Sequence, residues 1–190
     1  MFSILTITES ITAELQDHLN KTCFRWKDSD STTSYAETKP KVYAFTYDDL
    51  QGTAPLHTPA ILVQIISIDP TGLASYIVHV CVSYPSIQDK EITNPVEGYD
   101  NLYQYGTGDS IDSAGTRSEL YKAALLLGEQ VYKILGRMSN NDFRIRNLSL
   151  QTPSPYMESF PYCDCTVSFD LETVKESTES KLNTKVSQYL

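Results

Sequence analysis

The sequence has few of the residues and patterns that carry recognisable chemistry. Its 190 residues include three histidines and four cysteines, with no C-x-x-C pair. The cysteines lack the spacing of a disulfide framework, so we expect free thiols and a reducing compartment. No apolar run approaches the roughly 18 residues of a membrane helix, and the amino-terminal stretch has no basic flank typical of a secretory signal. We therefore expect a soluble protein that is intracellular when made, with no membrane partner.

Basic residues are also scarce. The chain has 15 lysines and arginines against 24 acidic residues, a formal net charge of −9, and its densest basic cluster is the pair Arg144 and Arg146. Such a surface repels a phosphate backbone. Specific DNA binding is not expected, although DNA can pass an acidic wall without adsorbing to it.

Catalytic motifs are missing as well. The glycine- and hydroxyl-rich residues 106–115 match neither G-x-x-x-x-G-K-[ST] nor G-x-S-x-G. His18, His57 and His79 are far apart in sequence, and none has a carboxylate residue at a spacing typical of a catalytic pair. We predict no enzyme activity and no cofactor.

One metal site is conceivable on paper. Cys81, His79, Cys163 and Cys165 would form a Cys₃His zinc set if their strands were neighbours. However, Cys163 and Cys165 alternate in step with Val167 and Phe169, which indicates an apolar row on one face of a strand. We predict a structural role for the cysteines and no metal.

The longest helical pattern covers residues 118–138. Its apolar residues recur every three or four positions and share one face: Leu120, Ala124, Leu127, Val131, Ile134 and Met138. Tyr121, Leu125 and Tyr132 form a second apolar stripe, with Gly128 beside it where another backbone can approach. Either local loops or a neighbouring subunit cover this stripe.

Strand patterns surround this helix. Residues 60–68 are nearly all apolar, which predicts a central strand covered on both faces, and Asp69 to Gly72 supply a turn into an alternating strand over residues 76–84. Further strands are predicted over residues 42–47, 143–150 and 162–171, and a first helix over residues 7–24. The predicted fold is α+β, a mainly antiparallel four- to five-stranded sheet with a long helix packed on one face.

Two polar segments are not assigned to any of these predicted helices and strands. Residues 86–116 are predicted to be a long loop inserted in a single domain that spans residues 1–171, and residues 172–190 a polar arm or tail. Each segment carries spaced apolar residues that a partner would have to bury. The predicted interface residues are Tyr99, Leu102, Tyr103 and Tyr105 in the first segment and Leu182, Val186 and Leu190 in the second, in addition to Tyr121, Leu125 and Tyr132.

The order of these elements resembles the tail-terminator and tail-completion proteins of long-tailed bacteriophages. PAILVQIISID with YIVHVCVSY is similar to the central hairpin of that fold, RSELYKAALLLGEQVYKIL to its packed helix, and FRIRNLSL with YCDCTVSFDL to its closing strands. The resemblance spans residues 7–171 and rests on pattern and order.

The resemblance implies a structural virion protein of the tail or neck, made in the host cytoplasm. Such proteins form a ring, commonly of six copies, that caps the head-proximal end of the tail tube, ends tube growth and joins the tail to the head connector. The implied partners are further copies of the chain, the tail tube protein and the connector or adaptor protein, with DNA only passing through the channel. Two alternatives stay open: a head-closure or head–tail adaptor protein, and a small cytosolic enzyme or ligand-binding module that uses residues 86–116 as a lid.

Overall fold

The computed structural model describes residues 4–27, 35–46, 59–70, 72–83, 91–92, 101–105, 114–138, 143–154 and 162–173. Two helices and nine strands lie in these ranges. In chain order they are α1 (Ile4–Leu19), β1 (Thr22–Lys27), β2 (Tyr35–Thr38), β3 (Lys41–Ala44), β4 (Ala60–Ile68), β5 (Leu73–Ser83), β6 (Glu91–Ile92), β7 (Asn101–Tyr105), α2 (Ala114–Leu135), β8 (Phe143–Gln151) and β9 (Tyr162–Thr173).

The larger sheet has five strands in the order β3-β4-β5-β9-β8. Strands β4, β5, β9 and β8 pair antiparallel, and only β3 runs parallel to its neighbour β4. Both helices contact this sheet, α1 at β3 and α2 at β5, β9 and β8. The predicted α+β fold, with a mainly antiparallel sheet and a long helix on one face, is confirmed.

The alternation of strands β5 and β9 decides which side chains face the helices. Tyr76, Val78 and Val80 are buried on β5, and they lie opposite Phe169, Val167 and Cys165 of β9. The Tyr76 and Phe169 rings stack with their centroids 4.9 Å apart. The turn before β5 also forms as predicted, because Gly72 adopts φ 89° and donates its N–H to the Asp69 carbonyl at 3.0 Å.

Helix α2 packs the predicted face on this sheet. The predicted residues Leu120, Ala124, Leu127, Val131 and Met138 are buried, and Ile134 is half-buried against the same core. Ala123 and Leu135 are also buried, which widens the apolar face. The Cys165 thiol donates to the Ala124 carbonyl at 3.2 Å, so the helix lies directly above β9.

The first helix is shorter than predicted. It ends at Leu19, whereas Cys23 and Phe24 belong to strand β1. Cys23 follows Leu19 at a helical interval, but it pairs with Leu102 of β7 and therefore belongs to a sheet. The buried Thr8 hydroxyl and the Tyr76 hydroxyl are 2.8 Å apart and link α1 to the middle of the sheet.

A second, four-stranded sheet has the order β6-β2-β1-β7. Two of its strands, β6 and β7, lie within residues 86–116, so the prediction of a loop over that whole segment is wrong. Helix α2 likewise begins at Ala114, inside the predicted loop. Strand β9 continues to Thr173, so the first two residues assigned to the polar tail belong to the sheet.

Candidate subunit interface

The second apolar stripe of α2 lies on the flank of the helix that is turned toward β8. Tyr121, Leu125 and Tyr132 are rotated by roughly 60 to 100° from Ala124, at 100° per residue. Gly136 follows on the same flank, and a Cβ at that position would lie 3.5 Å from Leu148 Cδ2 of β8. The stripe therefore runs along the outer edge of the sheet.

Exposure increases along this stripe. Tyr121 is half-buried and packs against the main core, Leu125 is half-buried, and Tyr132 is 37% exposed. Leu126 is adjacent on the outward side of the helix and is 42% exposed. The predicted stripe thus combines a core contact at Tyr121 with an uncovered surface at Tyr132.

Gly128 is the residue of α2 at which the sequence predicts a close approach of another backbone. It lies on the sheet-facing side of α2, where a Cβ would collide with Cys165 Sγ and stand 3.2 Å from Leu150 Cδ1. The close approach that this glycine permits is therefore between α2 and its own sheet.

Strand β8 forms one edge of the sheet, and within the described ranges no strand pairs with its outer side. Its inward residues Ile145, Leu148 and Leu150 are half-buried against the main core. A register shift between Arg146 and Ser149, with φ 51° at Asn147, interrupts its pairing with β9. Bulges of this kind twist an edge strand and make uncontrolled pairing less favourable.

The opposite edge has a feature that the sequence prediction missed. Strand β4 was predicted to be covered on both faces, but only its first half is buried, and Ile66 and Ile68 are 59% and 54% exposed. The reason is that β3 pairs only with Ala60 to Val63, and a register shift follows between Ile65 and Ser67. Gln64 and Ser67, the two polar residues of β4, both lie in its less buried half, but they do not show where the neighbouring strand ends.

Helix α1 adds a further exposed side chain at this edge. Gln16 accepts the Val42 N–H at 2.8 Å and donates to the Pro40 carbonyl at 3.2 Å, so this flank of α1 covers the outer side of β3. Leu5 and Glu9 share that flank because they precede Gln16 by eleven and seven residues, about three and two helical turns. Leu5 is 58% exposed.

The other predicted interface residues divide into two groups. Leu102, Tyr103 and Tyr105 lie on β7, which pairs in parallel with β1 through Leu102 opposite Cys23 and Tyr103 opposite Phe24. Their prediction as loop residues is corrected, because backbone pairing with a strand some 80 residues earlier was not visible in the local pattern. Tyr99, Leu182, Val186 and Leu190 lie outside the described residues.

The cysteines and His79 do not converge. Cys163 and Cys165 face the helix layer, while Cys81 is buried with Tyr43 on the opposite face of the sheet. Burial raises the pKa of Cys163 to about 11 and that of Cys165 to about 12, with a smaller contribution from the Asp164 carboxylate. All four cysteines carry free thiols, and no cluster suited to a metal ion occurs in the part of the chain that the structure describes.

Polar side chains on the other face of the sheet pair with one another. The Asp170 carboxylate accepts hydrogen bonds from Asn147 Nδ2 and Ser75 Oγ, each at 2.7 Å, and these bonds lower its pKa. His79 lies on the same face of β5 as Ser75 but four residues away, about 13 Å along the strand. Ser75 therefore has a carboxylate partner, and His79 is too far along the strand to act as its base.

Comparisons with known proteins do not assign the chain to a family. Neither the scan against protein-family models nor the search of curated proteins finds a match. Among the described residues, no helix is both long enough and apolar enough to span a membrane.

Proposed function

We propose that the chain is a structural subunit of the neck of a long-tailed bacteriophage. In this proposal, six copies of the chain form a ring on the head-proximal end of the tail tube. The ring ends tube growth and joins the tail to the connector or adaptor of the head. The chain acts as a building block without catalysis or a cofactor, and its site of action is the virion.

One observation carries the proposal. The described fold is an α+β sheet with α2 packed on one face, and its two outer edges both carry exposed apolar side chains. Tyr132 marks the β8 edge, and Ile66 and Ile68 mark the β4 edge. In this proposal the exposed apolar groups at the two ends of the sheet contact a neighbouring copy on each side.

Charge supports the same interpretation. A net charge of −9 opposes adsorption of DNA to the protein. DNA that crosses a neck has to move without sticking, so an acidic ring suits a passage better than a binding site. The paired polar groups around Asp170 also fit a scaffold surface, because their hydrogen-bonding capacity is used within the sheet.

The test is the length of tail tubes assembled in the presence and absence of the chain. Tube protein and baseplate components that polymerise without control should yield tubes of uniform length when the chain is added, as measured by negative-stain imaging. Addition of heads then separates a terminator from an adaptor, because a terminator limits tube length before heads are present. Tubes whose length distribution does not respond to the chain, and which join heads equally well without it, would refute the proposal.

The carboxyl-terminal segment provides a second arm of this experiment. Truncation after Thr173 keeps β9 intact and removes Leu182, Val186 and Leu190. We expect the truncated chain to cap tubes less efficiently, because those residues are proposed to contact a neighbour or an axial partner. A deletion of residues 86–116 is less suitable, since it would also remove β7 and disrupt its pairing with β1.

A further inference from the structure

We draw no further inference here: the strongest candidate, the exposed apolar patch that Leu5 of α1 forms with Ile66 and Ile68 where β4 extends beyond β3, carries none because nothing in the described part of the structure shows what covers it.

Discussion

Replacing Gly128 by alanine should destabilise the protein, although alanine is the better helix former. In a solvent-exposed helix this change would stabilise by about 1 kcal/mol. Here the added Cβ would collide with Cys165 Sγ and stand 3.2 Å from Leu150 Cδ1. The Cys165 thiol cannot move away freely, because it is buried and donates to the Ala124 carbonyl of the same helix at 3.2 Å.

The two effects have opposite signs, and their sizes decide the outcome. Overpacking of a close-packed core costs about 1 to 3 kcal/mol, which exceeds the gain in helix propensity for most of that range. We therefore expect a net loss of up to about 2 kcal/mol in the free energy of unfolding for Gly128→Ala. Gly136→Ala is the control, since Gly136 is exposed just beyond the last residue of α2 and its nearest side-chain atom would be 3.5 Å away.

The variant Cys165→Ala makes this test stricter. On its own it removes a buried sulfur and leaves a void, which should cost about 1 kcal/mol. In the double variant the new Cβ occupies that void and the propensity gain remains, so the double variant should be at least as stable as Cys165→Ala alone. The expected coupling free energy is about 1 kcal/mol or more in favour of the double variant.

Urea unfolding monitored by circular dichroism gives the free energies of unfolding of the unchanged chain, the two single variants and the double variant. These four values form a double-mutant cycle and can be compared if the m-value is unchanged. Additivity of the two substitutions to within about 0.5 kcal/mol would refute the reasoning, because independent sites behave in that way. Stabilisation by Gly128→Ala alone would refute it as well, because it would mean that α2 packs less closely on β9 than it does in the structure.

Three further predictions concern the same core. Leu127→Ala should lower the free energy of unfolding by about 2 to 4 kcal/mol in urea titrations, because the side chain is fully buried between α2 and the sheet, and a loss below about 1 kcal/mol would contradict this packing. Thr8→Val should cost about 1 to 3 kcal/mol in the same assay, because it leaves the buried Tyr76 hydroxyl without its partner at 2.8 Å; a neutral effect would argue against this link between α1 and the sheet. Burial raises the pKa of Cys163 from 9.0 to about 11 and that of Cys165 from 9.0 to about 12. The two buried thiols therefore contribute fully to the free energy of unfolding below pH 9, and this contribution is lost as the pH rises through their folded-state pKa values. Stability measured from pH 8 upward should therefore fall less steeply in Cys163→Ala than in the unchanged chain, and equal slopes would contradict the prediction.

Local patterns in the sequence determined which residues form α2, β4 and β9 and which of their side chains are buried. The face of α2 followed from helical spacing, because burial of Leu127 and Val131 on any sheet requires that spacing. The bounds of β4 and the turn at Asp69 and Gly72 followed from apolar continuity and turn chemistry. The inward row of β9, with Cys163 and Cys165, followed from strict alternation.

Only the tertiary structure decided which strands become neighbours and where their pairing stops. Strand β7 owes its place to parallel pairing with β1, and that pairing also withdraws Cys23 from the helical pattern of α1. The exposure of Ile66 and Ile68 depends on the end of β3, a strand separated from them by some 20 residues. Hydrogen bonds between strands join backbone groups that every residue possesses, so the side-chain pattern of one strand does not specify its partner or the partner's length.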